Sequence, residues 1–455
     1  MAREIAINAF HMNTVGHQSP GLWKHPRDRS RGYKDLETWT SLAKTLERGL
    51  IDGLFIADVL GVYDVYGGGP ETALRAGSQI PINDPLMLVS AMASVTENLG
   101  FGLTCNLGYE APYVLARRMS TLDHLTKGRI GWNIVTGYLN SAARGLGLDK
   151  QVPHDKRYDQ ADEYMEVVYK LWEGSWEEDA VVLDAERRMF TDPAKVHRVE
   201  HNGEYYRVDA IHLCEPSPQR TPVLYQAGTS GRGRAFAAKN AECVFVNAPS
   251  AEVVKSYVDA LADELSKVGR SRDDLRIFSM ATVIVDQTDK LAQDKLVDYR
   301  KHIDHEGTLA LMSGWTGVDF STYALDDYVE DVETDAMRTA LRSFTSSVSP
   351  RRWTIRDIAE FGAIGGRGPT FIGSPSTVAE QMETWVDATG VDGFNLAYAV
   401  YPETFTDFID LVVPELQSRG RYKTAYRPGT LREKMFGEGG SGRLPSSHRG
   451  AGFRV

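Results

Sequence analysis

Only three cysteines occur in the 455 residues, Cys105, Cys214 and Cys243, and none of them forms a C-x-x-C pair. Widely spaced and odd in number, they exclude a disulfide framework and a structural metal cluster, and they predict a reducing compartment. Long apolar runs are missing too. None approaches the ~20 residues of a membrane span, and no apolar signal core precedes the strand-like Glu4–Phe10. Basic charge is scarce: the formal net charge is −11 and the pI about 5.6, without the basic stripe that nucleic-acid binding needs. Three short catalytic signatures are absent as well. No G-x-G-x-x-G follows a strand, no H-E-x-x-H appears for a metal, and Ser230 does not sit in a G-x-S-x-G elbow. These absences leave a cytoplasmic protein with no membrane span, no nucleic-acid partner and no metal.

What is present is alternation. Strand-like segments at Ile5–Phe10, Gly53–Val59, Gly100–Asn106, Ile130–Thr136, Val223–Gly228, Cys243–Asn247, Ile277–Val285 and Phe394–Ala399 are separated by helix-like ones. Eight successive β/α steps predict an α/β fold closed as a (β/α)8 TIM barrel over residues 1–426. Two stretches break the pattern. Residues 173–220 are charged and aromatic and predict an added hairpin. Residues 290–369 form a long insertion with a turn at Ser313–Gly317 and an acidic run through Asp335, expected as a lid over the barrel mouth. The tail, residues 427–455, carries GEGGSGR and few apolar residues, and reads as an arm or as disorder.

The most informative stretch is Thr221–Asn240, TPVLYQAGTSGRGRAFAAKN. It passes from an apolar strand through Gly228–Gly233 into an Ala-rich helix, an arrangement that aims unpaired N–H groups at one point. Ser230 can cap the helix and bind a ligand through its hydroxyl, and the glycines let a phosphate approach the backbone. The spacing suits a mononucleotide phosphate cup. A tight serine-capped turn without ligand is the alternative reading.

In a barrel, chemistry gathers at the C-terminal strand ends. Those ends carry His11, Met12 and His17; Asp58 with Tyr63 and Tyr66; Thr104, Cys105 and Asn106; and Thr136 with Tyr138, His154 and Tyr158. Singly each has a structural explanation, such as a hydrogen-bonded acid or a satisfied core histidine. Their joint placement at one mouth is what points to a site.

Several long motifs carry a family resemblance: NAFHMN, LERGLIDGLFIADVLGVYDVYGG, RRMSTLDHLTKGRIGWNIVTGYLNSAARGLG, HDKRYDQADEYMEVVYKLWEGSW, FTDPAKVH, PSPQRTPVLYQAGTSGRGRAFAA and VDGFNLAYAV. The chain resembles the flavin-dependent monooxygenases of the bacterial-luciferase superfamily. Its branch is that of the nitrilotriacetate, dibenzothiophene-sulfone and dimethyl-sulfide enzymes, and it is nearest the last group. The resemblance implies FMN at the barrel mouth, reduced by a separate NAD(P)H:flavin reductase and used with O2 on a small organic, organosulfur-like substrate. It implies that Asp58, Thr104, His154 and Tyr158 line the flavin and that Ser230 and Gly231 hold its phosphate. Catalytic candidates are His11, Tyr63, Tyr138 and Trp315, with Met12, Gln79 and Thr136 in the pocket. A homodimer or homotetramer is expected. Relatives with larger substrates have a histidine in an S-x-H-T-G turn where this chain has Trp315, so that acid/base is absent here. A flavin-dependent lyase acting on a larger heterocycle such as riboflavin, and a non-catalytic flavin binder, are the alternative readings.

Overall fold

In the computed structural model, residues 4–228, 230–329, 336, 343–344, 352–437 and 440–455 are described. All eight expected strands are there, at β1 (Ala6–Met12), β2 (Gly53–Ala57), β3 (Gly100–Asn106) and β4 (Ile130–Val135), and, beyond two hairpins, β9 (Val223–Gln226), β10 (Cys243–Val246), β11 (Arg276–Val285) and β13 (Gly393–Ala397). They pair in parallel in the order β10-β9-β4-β3-β2-β1-β13-β11, and the β10–β11 pairing closes the ring. The fold is therefore a closed (β/α)8 TIM barrel. A ninth strand, β12 (Thr370–Gly373), was not foreseen, because four residues between Pro369 and a glycine carry almost no periodic signal. It pairs with Thr282–Val285, on the edge of the long β11 beyond the reach of β10.

The strands are apolar on both faces because helices cover the outside and side chains fill the inside. Leu54, Phe101, Leu103, Trp132 and Leu224 are fully buried. Helices Leu36–Arg48, Pro112–Leu125, His154–Gly174, Gly231–Asn240, Ala251–Lys267 and Pro375–Thr389 lie between the strands, where helix-like segments are expected. No described helix is long and apolar enough to cross a membrane.

The stretch 173–220 contains two antiparallel hairpins rather than one. They are β5 (Val181–Asp184) with β6 (Met189–Thr191), and β7 (Val199–Asn202) with β8 (Arg207–Ala210). The second hairpin is tied to the barrel by Glu163, whose carboxylate accepts the N–H groups of Tyr205 and Tyr206 at 3.0 and 2.8 Å. The long insertion supplies helices His305–Thr316 and Ile355–Gly362, which form a second core over the mouth with Tyr63, Leu139 and Phe320. The end of its acidic run, 330–335, lies outside the described residues. At the opposite end of the barrel the tail contributes helix Leu431–Phe436. Leu431 packs on the floor formed by Phe55, Tyr225 and Phe278, and Arg432 pairs with buried Glu242 at 2.6 Å.

Candidate active site

The C-terminal mouth holds a cavity of about 680 Å³, of the size small-molecule sites have. At one end is the glycine–serine turn. Ser230 caps helix Gly231–Asn240, its Oγ accepting the Gly233 N–H at 3.0 Å. His154 begins a second helix, and its Nε2 lies 3.4 Å from the same Oγ, so two helix N-termini converge there. Side chains are excluded at two of the glycines: a Cβ on Gly228 would lie 2.8 Å from Tyr158 Oη and 3.0 Å from Gly233 Cα. Around Gly231 the space is open. Arg232 does not face the turn; it pairs with Asp162 at 2.7 Å and Asp159 at 3.2 Å. The cup thus offers backbone N–H groups, a hydroxyl and an imidazole to an anion, and no guanidinium from Arg232.

From the cup the cavity runs over the barrel core, where inward-facing amides interrupt apolar strands. Asn133 donates through Nδ2 to Thr104 Oγ1 at 3.0 Å, which leaves Asn133 Oδ1 facing the cavity without a partner. Gln226 Oε1, Asn247 Oδ1, Asn395 Oδ1 and His17 Nδ1 are also buried and unpartnered in the protein, and all belong to cavity-lining residues. Buried polar atoms of this kind are costly unless a ligand or water completes them. Asp58, at the end of β2, has its carboxyl pushed up to about 7, first by burial and then by the charge of Asp84. Near neutrality it can therefore offer either a proton or a lone pair.

A hydrogen-bonded chain closes the other end. Gln79 Nε2 donates to the His17 carbonyl at 2.7 Å, so its Oε1 faces Tyr63 and accepts that hydroxyl's proton at 2.8 Å. Tyr63 Oη, its one proton used, accepts from Trp315 Nε1 at 3.2 Å and pairs with Tyr138 Oη at 2.8 Å, where Tyr138 must be the donor. Tyr63 is saturated and burial pushes its hydroxyl up to about 12, so it orients its neighbours and does not exchange a proton near neutrality. Trp315 belongs to the last turn of helix His305–Thr316, not to a loop turn. Asp304 caps that helix at 2.8 Å, and Gly314 allows the turn to press against the Tyr63 ring.

The structure brings Asp58, Thr104, His154, Tyr158, Ser230, Tyr63, Tyr138 and Trp315 to one cavity, together with Met12, His17, Gln79 and Thr136. Gly231 stands beside it as the first residue of the capped helix. His11 is not among them. Side chains alternate along β1, so Phe10 and Met12 face the cavity while His11 packs outward among Trp39, Tyr398 and Tyr401 at 4.8, 4.6 and 5.1 Å. Burial lowers its pKa to about 4, and it stays a neutral core residue. Of the described residues, His25, Asp298 and His302 bring three metal-ligating atoms together. The His25 Nδ1 accepts the Arg27 N–H, which puts the proton on Nε2, and Asp298 already pairs with Arg27 and Lys301. That is the wrong tautomer and the wrong charge for a cation. Residues not anticipated are Gln226, Asn247, Asn395 and Arg367. The first three had a signal, a lone amide within or ending a buried apolar strand; Arg367, in a glycine-rich loop, had none.

The luciferase-like monooxygenase family model matches residues 9–393. The dimethyl-sulfide monooxygenase of Hyphomicrobium sulfonivorans is 52% identical over 454 residues, covering 100% of this chain and 94% of the relative. Its crystal structure superposes with a TM-score of 0.92, covering 99% of this chain and 96% of that one. The long-chain alkane monooxygenase of Geobacillus thermodenitrificans is 49% identical over 454 residues, covering 100% of this chain and 99% of the relative. A riboflavin lyase, solved with modified FMN and riboflavin, is 33% identical with a TM-score of 0.93 and full coverage of both chains.

Proposed function

The chain belongs to the luciferase-like monooxygenase family, and on that premise we propose that it is the oxygenase of a two-component system. A separate NAD(P)H:flavin reductase supplies reduced FMN, and the substrate is a small organosulfur compound whose oxidation leads to C–S cleavage. The observation that carries this reading is one continuous cavity, with an anion cup at one end and unpartnered amide oxygens along its floor. Ser230 Oγ, the N–H groups of helix Gly231–Asn240 and His154 suit a phosphate. The oxygens of Asn133 and Gln226, the Thr104 hydroxyl and the Asp58 carboxyl suit the donor and acceptor edge of a planar heterocycle. Reduced FMN, when bound, supplies the electrons that activate O2.

The chain's own contribution is positioning and exclusion of water. The insertion core around Trp315, Phe320 and Trp353 covers the mouth, and the Gln79–Tyr63–Tyr138 chain holds the pocket walls in one geometry. Tyr138 donates to Tyr63, so its oxygen remains an acceptor toward the cavity. The dimethyl-sulfide monooxygenase relative supports a small thioether as substrate.

The test combines stopped-flow oxygen uptake with product analysis. FMN should bind by its phosphate, so riboflavin should bind far more weakly. Oxygen consumption should require reduced FMN, and the purified chain alone with FMN should not oxidise NADH. A panel of thioethers, sulfones and riboflavin should give oxidised product from the thioethers. Turnover of riboflavin alone would assign the chain to lyase chemistry instead, and flavin binding without oxygen uptake would make it a binder.

A further inference from the structure

One cavity wall carries a cation with no counterion among the described residues. Arg367 lines the cavity, and its guanidinium stands over the Trp315 ring at 5.3 Å. Its Nε is buried without a hydrogen-bond partner, and none of the described carboxylates acts on it; the polar groups around it are the hydroxyls of Tyr257, Tyr138 and Tyr63. Of the two other arginines of the wall, Arg118 is answered by Glu110 at 2.9 Å, and Arg157 stands beside Tyr158 on the side of the cup. The loop that presents Arg367 is built rather than loose. Gly365 and Gly366 take left-handed φ values of 80° and 69°, where their missing side chains would strike Thr282 and Gln18. The Gly365 N–H is held by Ser19 Oγ at 2.9 Å, and Gly368 lies against the Met280 carbonyl.

A guanidinium does not lose its proton, so burial cannot be relieved by neutralisation. Contact with Trp315 offsets part of the cost but gives the guanidinium no hydrogen-bond acceptor among the described residues. A fork of donors beside an aromatic wall matches a carboxylate, sulfinate or sulfonate better than any neutral group. The phosphate cup at Ser230 is a different part of the wall: its nearest polar groups are His154 and Tyr158, none of which is among the groups acting on Arg367.

We propose that Arg367 binds an acidic group of the substrate, and hence that the preferred substrates are small organosulfur acids rather than neutral thioethers. The inference rests on the proposed function in taking the cavity beyond the flavin as the substrate pocket. It goes further in assigning the charge of the substrate and the residue that selects it. Tyr138, whose oxygen only accepts once its proton is given to Tyr63, does not compete for the anion.

The test pairs probes that differ in charge alone: 3-(methylthio)propanoate and 3-(methylthio)propanamide, with 2-(methylthio)ethanesulfonate as a second acid. Calorimetric titration of each into the FMN-loaded protein should show the acids binding about 10- to 100-fold more tightly than the amide. Arg367→Gln should abolish that preference and leave the FMN dissociation constant unchanged; Arg367→Lys should keep part of it. Melting temperature and FMN affinity report whether each variant is folded, and the wild-type acid-to-amide ratio tests the proposal without any variant. Equal binding of acid and amide to the wild type, or no binding of either acid, overturns it. So does a loss of FMN affinity in a folded Arg367→Gln protein, which would give the guanidinium to the cofactor. Tight acid binding without oxidation would leave this assignment standing and count against the proposed oxygenase function.

Discussion

Trp315 donates its indole N–H to the Tyr63 hydroxyl at 3.2 Å, tying the long insertion to the loop after β2 across the mouth of the barrel. Only 6% of Trp315 is exposed, and it both lines the cavity and packs in the insertion core. Pocket wall and structural anchor are thus roles of one side chain. Trp315→Ala should therefore cost about 3–5 kcal/mol in urea unfolding and also release more hydrogen peroxide per turnover. Trp315→Phe keeps most of the packing and loses one hydrogen bond, at about 0.5–1.5 kcal/mol. A Trp315→Ala protein within 1 kcal/mol of wild type would show that the insertion is held elsewhere.

The cup should respond to small changes. Ser230→Ala removes a cap and a hydroxyl ligand, and FMN titration should show binding weaker by about 1–2 kcal/mol. Gly228→Ala should be worse for binding than Ser230→Ala, because its Cβ meets Tyr158 Oη at 2.8 Å and the Gly233 Cα at 3.0 Å. If Gly228→Ala binds FMN as wild type does, the close approach of turn and helix is not what shapes the cup.

Asp58 makes a pH prediction. Its folded-state pKa of about 7 lies above the ordinary aspartate value of 3.8, so the folded protein holds a proton that the unfolded chain releases. This group's contribution is therefore favourable at low pH and is lost as pH rises from about 4 through about 7. Asp58→Asn removes that dependence. In cofactor-free protein, the stability of Asp58→Asn relative to wild type should grow between pH 5 and pH 8, by on the order of 1–3 kcal/mol. A difference that does not change with pH would mean that the carboxyl is not perturbed.

The tail should be essential to the barrel floor. Arg432 meets Glu242 through Nε–Oε1 at 2.6 Å and a second N–H to Oε2 at 2.9 Å, both side chains about 2% exposed. It also donates to the carbonyls of Thr221 and Pro222, immediately before β9. Arg432→Met strands a buried carboxylate and should cost about 3–5 kcal/mol, while adding Glu242→Gln should recover part of the loss. Equal stability of the single and double variants would deny the coupling.

Much of the molecule was legible in the chain. Short apolar segments alternating with helix-like ones predicted eight strands, and all eight occur in sequence order around the ring. The strand–glycine–serine–helix stretch announced its own geometry, because capping and close backbone approach depend on residues within ten positions of one another. Even the outward turn of His11 was written in β1, where Phe10 and Met12 share the opposite face.

Other features depend on distant parts of the chain meeting. Whether Arg432 would lie in a loose arm or against Glu242, 190 residues away, is decided by how the tail fits under a closed barrel. The Tyr63–Gln79 bond requires the amide orientation imposed by His17, and the saturation of Tyr63 further requires Tyr138 from the segment after β4 and Trp315 from the long insertion. Arg367 carries the same lesson. In the local string GGRGP it reads as a surface loop residue, yet β11, Ser19 and the insertion enclose it. Local periodicity and turn chemistry act over a few residues, so they settle the elements and the cup in advance. Burial of a charge and the direction of a shared proton belong to whichever groups the fold brings into contact, and those only the tertiary structure decides.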